Sequence, residues 1–233
     1  MNAFGFLAPM PSELRPLRTA LSLQVDGQGT AAVHTGSLDG RPVVALLTGI
    51  GTERAGARAR HLLDHHAVDH VVVIGVAGGL ARDVAVGDVV IPEAVIDLSD
   101  GRELRPSPLG SASASGCLLT SDQLLTDPAE LGRLRDAGAT AIDMETAAIA
   151  RVCEEQGRRW SVFRGISDDA FDPSVDEAIL GLTRPDGSPD LRAVARFVAG
   201  DPRRVRLLAR LGRDLKAATT GAVDAALRAC RES

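Results

Sequence analysis

Apolar residues along this chain fall into two kinds of pattern that take turns. Short runs rich in Val, Ile and Leu occupy 31–35, 42–47, 70–74, 88–96 and 160–166, each bounded by Gly, Pro or Asp, and predict β-strands. Between them, 52–66 and 145–156 carry apolar residues at helical spacing, with Ala148, Ile149, Val152 and Cys153 on one face. Over 202–226 the residues Leu208, Leu211, Leu215, Ala218 and Ala222 recur every three or four positions, predicting a long amphipathic helix docked on the body. Such alternation implies an α/β fold with parallel sheet character, covered by helices, and directs the search for active residues to strand ends. Two segments read as loops able to act as lids, 98–115 with its Ser, Gly and Pro, and 167–190 with three prolines and several acids.

Composition narrows the class. The 233 residues suit one α/β domain over 1–233, and 45% apolar with 24% charged residues is ordinary for a globular protein. A net charge of −5 without an aromatic-interleaved basic face argues against nucleic acid and for a small-molecule partner. Arg203, Arg204, Arg206, Arg210 and Arg213 invite reading as a patch for an anionic partner, and a solvated helix face explains them more simply. Cys117, Cys153 and Cys230 are odd in number and lack metal-type spacing, so reduced core thiols are expected. His61, His65, His66 and His70 form two i,i+4 pairs, which read better as a solvated helix end than as a metal site. The apolar stretch near the start has no basic flank and runs into Pro9, Pro11 and Glu13, unlike a signal peptide, so a cytoplasmic location is expected. The run 71–81 is too short to span a bilayer.

Four segments can carry chemistry. "TGIGTERAG" (48–56) follows a strand and opens a helix, but Arg54 stands where the dinucleotide fingerprint needs a third glycine, and the P-loop lysine is absent. "IGVAGG" (74–79) lets main-chain groups approach a flat ligand after a core strand. In "IDMET" (142–146), Asp143, Met144 and Glu145 close a strand before a helix, where a carboxylate can accept hydrogen bonds from sugar hydroxyls. "FRGISDD" (163–169) sets Arg164 and Asp168 four residues apart at a strand end. Each taken singly is equally explained as a turn, a packing glycine or a helix-capping acid.

In order along the chain, "GFLAPMPSEL", "TGIGTERA", "GVAGGL" with "VGDVVIP", "GCLLTSDQLL", "IDMETAAIARVC" and "FRGISDDA" resemble the nucleoside phosphorylase/nucleosidase superfamily. The similarity is greatest to its methylthioadenosine/S-adenosylhomocysteine nucleosidase-like hydrolases. That resemblance implies a single-domain nucleoside phosphorylase fold, with a central mixed β-sheet partly closed into a barrel and flanked by helices. It also implies a homodimer or larger homo-oligomer, with no cofactor and no metal, that cleaves the bond between a purine, expected to be adenine, and ribose. Carried over by motif, Glu13 matches the glutamate that acts on the attacking water, Asp168 the aspartate that protonates purine N7, and Arg164 an arginine near the water. Glu145 matches the acid that holds the ribose hydroxyls and Met144 the methionine against the sugar. Ile50, Val76, Ala77, Gly78, Leu124, Leu125, Ser167 and Phe171 complete the expected substrate site.

Phosphate-dependent relatives use further arginines, and the position that is arginine in one such branch is Val73 here, which favours hydrolysis over the alternative of phosphorolysis. Val76 stands where well-known nucleosidases have a serine, and Leu124 where they have an aromatic that stacks on adenine. The segment before Cys117 is shorter than usual. The C-terminal part is similar to the tail of hopanoid-associated nucleosidases, whose substrate carries a large apolar 5′ group.

Overall fold

The computed structural model describes residues 3–201 and 203–233. In chain order the strands are β1 (Ala3–Ala8), β2 (Gln24–Asp26), β3 (Val33–Leu38), β4 (Arg41–Leu47), β5 (Val68–Gly79), β6 (Val89–Val90), β7 (Ala94–Asp97), β8 (Glu103–Leu104), β9 (Cys117–Thr120), β10 (Ala139–Asp143) and β11 (Arg159–Asp169). The helices are α1 (Pro11–Ala20), α2 (Thr52–His65), α3 (Pro128–Asp136), α4 (Thr146–Glu155), α5 (Glu177–Leu180), α6 (Leu191–Gly200) and α7 (Arg204–Arg231). This is a mixed α/β architecture with a central mixed sheet flanked by helices.

The sheet runs β2-β3-β4-β1-β5-β10-β9-β7-β8, with β11 on the other edge of β5 and β6 beyond it. Twelve-residue β5 organises it. Its first half pairs in parallel with β1, its last two residues pair antiparallel with β10, and β11 runs parallel along nearly its whole length. Successive side chains of a strand point to opposite faces, so β5 serves two cores. Val71 and Val73 join Ala55, Ala59 and Leu62 of α2 and Ile149 and Cys153 of α4. Val72 and Ile74 join Phe4, Phe6, Leu14 and Leu17 on one side of the sheet with Ala222, Val223 and Ala226 of α7.

The structure departs from the sequence reading in places. The run 88–96 is two strands, because Pro92 lacks the N–H a ladder needs: β6 pairs with β11, and β7 with β8 and β9. His66 and His70 do not share a helix, since His66 ends α2 and His70 is buried in β5, where its Nε2 bonds Ser161 Oγ at 2.8 Å. Segment 167–190 begins as strand, then forms α5, capped by Asp176, and a turn closed by the Thr183–Pro189 bridge. The expected C-terminal helix is α7, which runs on to Arg231. The reading began it at Pro202, which lies outside the described residues. Among the described residues no helix is long and apolar enough to cross a membrane.

Candidate active site

The site is assembled at the ends of β1, β5, β10 and β11, where the strands hand over to loops and helices. After β1, Pro11 opens α1 and Glu13 occupies its third position, so its carboxylate turns back and accepts the Met10 N–H at 2.6 Å. The other oxygen accepts the Val76 N–H of β5 at 2.8 Å, which ties the first helix to the middle of the central strand. Gly75 makes room for this contact. A Cβ there would collide with Arg164 Nη1 and stand 2.7 Å from Glu13 Oε1, on a backbone with φ +152°.

Beneath these groups lies a buried ionic cluster. Arg164 of β11 is fully buried and its Nη2 meets Asp143 Oδ2 at 2.7 Å and Glu145 Oε2 at 3.3 Å. Thr146 Oγ1 receives a further bond from that nitrogen at 3.0 Å. Asp143 is held in turn by Thr120 Oγ1 at 2.7 Å, and Glu145 Oε1 accepts the Gly51 N–H at 3.1 Å. The glycine-rich turn after β4 thus gives a main-chain N–H to the Glu145 carboxylate. On the opposite side, at the end of β11, Asp168 accepts a hydrogen bond from Ser167 Oγ.

One cavity spans these groups. Of the residues expected from the sequence, Glu13, Ile50, Val76, Ala77, Gly78, Leu124, Leu125, Met144, Glu145, Ser167 and Asp168 line it. Two do not. Arg164 sits behind the wall and reaches the cavity only through the carboxylates it binds, while Phe171 packs with the small cluster around Leu80 and Leu119, under Arg135.

A family model described as the phosphorylase superfamily matches residues 3–110 and 107–196. The chain belongs to the phosphorylase superfamily. It is 29% identical over 197 residues to the 5′-methylthioadenosine/S-adenosylhomocysteine nucleosidase of Anoxybacillus flavithermus, covering 71% of this chain and 85% of that one. It is 31% identical over 169 residues to the nucleosidase of the same name from Geobacillus kaustophilus, covering 60% and 72%. The fold also matches the crystal structure of the Neisseria meningitidis nucleosidase of that name in complex with methylthio-immucillin-A, with TM-score 0.76 at 20% identity over the full length of both chains.

In this superfamily member burial sets the electrostatics of the cavity. Burial pushes the Glu13 carboxyl up to about 7, against the pull of Arg164 and the two main-chain N–H donors. Burial likewise raises Glu145, again opposed by Arg164 and supported by the neighbouring Asp143 and Glu13 charges. Asp168 is raised chiefly by burial, with the Ser167 bond opposing and Asp172 and Asp169 adding to the shift. Burial thus favours the protonated form of all three carboxyls, and Glu13 ionises at about 7.

Sequence reasoning missed part of the wall: Pro9 and Met10 before α1, Val175, Asp176, Ile179 and Leu180 around α5, and Leu211 and Leu215 of α7. The helix α1 was missed as well, although Pro11 and Glu13, a proline at its first position followed by an acid at its third, carry a signal for its start. Leu211 and Leu215 lay on the apolar stripe of 202–226, and nothing in a stripe tells whether it faces a core or a ligand.

Proposed function

We propose that this protein hydrolyses the N-glycosidic bond of an adenine nucleoside that carries an apolar substituent at the ribose 5′ position, releasing free base and the ribose moiety. The observation that carries the reading is the convergence of Glu13, Glu145 and Asp168 on one cavity, from β-strand ends far apart in sequence. Breaking this C–N bond builds positive charge on the ribose and electron density on the departing base. Asp168, whose burial favours its protonated form, gives its proton to N7 of the base. Glu145 accepts hydrogen bonds from the ribose hydroxyls, and Met144 lies against the sugar. Glu13, in its ionised form, takes the proton of the water that attacks the anomeric carbon. Arg164 is a positioning residue: it holds Asp143 and Glu145 from behind. The base lies along Val76, Ala77 and Gly78, between Leu124, Leu125 and Ser167. Beyond the sugar, Val175, Ile179, Leu180, Leu211 and Leu215 form an apolar end, which suits an uncharged 5′ group.

The test is product identity. With methylthioadenosine as substrate, adenine should appear at the same rate with and without phosphate, and the sugar product should be a reducing sugar. Release of a sugar 1-phosphate would replace hydrolysis by phosphorolysis. We further infer a cytoplasmic homodimer or larger homo-oligomer, on the resemblance of the chain to its superfamily. Light scattering of the purified protein at two concentrations tests the assembly.

A further inference from the structure

The charge of this chain is segregated. Residues 191–216 hold eight of its 26 Lys and Arg and only two of its 31 Asp and Glu, so this stretch carries +6 while the remainder carries −11. The stretch comprises α6 and the first half of α7. In α6, Leu191, Val194, Phe197 and Val198 share one arc at helical spacing, and Arg192 and Arg196 lie opposite. A helix of this pattern that serves only the fold buries its apolar arc. In α6 none of the ten residues is buried, and its packing partner is the beginning of α7, where Arg204 stacks over Phe197. Leu191 is 73% and Val205 51% exposed, the two most exposed of the large apolar side chains among the described residues. Arg192, Arg196, Arg203, Arg206, Arg213 and Lys216 form no ion pair among the described residues, whereas Arg210 is bound by Asp172.

We propose that α6 and the first half of α7 form a docking surface for an anionic lipid bilayer, on which the protein sits as a peripheral enzyme. Cationic groups flanking exposed Leu and Val on an amphipathic helix are what interfacial binding requires. The negative remainder of the chain does not cancel the attraction, because at physiological salt charges more than about 8 Å away are largely screened. A nucleic acid would also answer to the charge, but not to exposed Leu191 and Val205. The surface is joined to the cavity by α7, which presents Arg206, Arg213 and Lys216 outward and Leu211 and Leu215 to the cavity wall. Docking therefore places the apolar end of the cavity close to the bilayer.

Co-sedimentation of the full chain with vesicles tests this without any turnover, so it stands or falls independently of the proposed hydrolysis. Vesicles of phosphatidylcholine with about one third phosphatidylglycerol should bind at least about tenfold more protein than phosphatidylcholine alone, and salt at about 0.5 M should release it. Arg192→Glu with Arg196→Glu and Arg206→Glu should reduce binding to the level of neutral vesicles. Leu191→Ser with Val205→Ser should weaken binding while leaving its salt dependence. Both variants should retain hydrolysis of a soluble nucleoside. Wild-type protein remaining in solution with anionic vesicles overturns the proposal, as does undiminished binding by the charge-reversed variant. A fall in oligomer mass in the Leu191→Ser, Val205→Ser variant also overturns it, because the face would then be a contact between copies of the chain.

Discussion

In the proposed mechanism Asp168 acts protonated and Glu13 ionised. Burial raises both carboxyls, which favours the acid form of Asp168 and makes Glu13 a stronger base that ionises only at about 7. Asp168→Asn keeps the shape but cannot release the proton, so kcat should fall by about 10²- to 10⁴-fold while the thermal midpoint stays within a few degrees of wild type. Steady-state kinetics with a melting curve separates the two. Glu13, ionising at about 7, should give kcat/KM an acid limb that falls as pH drops through 7. The same shift has a stability sign. A carboxyl whose folded value of about 7 lies above its ordinary 4.5 holds its proton more tightly in the folded state, so its stabilising contribution is complete below 4.5 and lost as pH rises through 7. Glu13→Gln does not titrate. Its stability relative to wild type should therefore improve by up to about 3 kcal/mol between pH 4.5 and 8, measured by urea unfolding of both proteins across that range. At this scale the sequence was informative about position, because Asp168, Glu145 and Met144 sit in acidic motifs at strand ends and all three line the cavity. The assignment of Phe171 to the substrate did not follow the structure, since a residue three beyond Asp168 turns back under Arg135 once the strand has ended.

Among the elements, α7 has the widest reach. Ala222, Val223 and Ala226 fill one core, while Leu211 and Leu215 wall the cavity. Its close approach to β11 depends on Gly165, where a Cβ would collide with the carbonyl oxygen of Ala218 and stand 2.8 Å from its Cα. Gly165→Ala must push helix and strand apart, which should cost about 1–3 kcal/mol, visible as a lower urea midpoint at unchanged slope. The same displacement moves Leu211 and Leu215, so KM for a 5′-substituted nucleoside should rise as well. Periodicity located α2, α4 and α7 because each buries an apolar face, and it located the long strands for the same reason. It failed where pattern and environment part company: at Pro92, which splits one apolar run between two neighbours, and at α1, whose polar first turn serves a ligand cavity.

For the whole molecule, the two cores share β5, β1, β4 and β11 as a common wall, with alternate side chains of each strand committed to different faces. Neither core can lose its order while the other keeps its sheet. We therefore propose that residues 1–233 form one domain and expect one calorimetric transition whose van't Hoff enthalpy equals its calorimetric enthalpy; two resolved transitions would divide the chain. The sequence by itself determined the α/β alternation, the superfamily and eleven of the twenty-four residues that line the cavity, because these rest on local periodicity and on short motifs in fixed order. Only the tertiary structure decided that Arg164 is sealed behind Asp143 and Glu145, that Phe171 leaves the site, and that α5 and α7 supply the apolar end of the cavity. The physical reason is the same in each case. A helical or strand pattern specifies which face is apolar, but what that face meets depends on how distant strands and helices come together across the shared sheet.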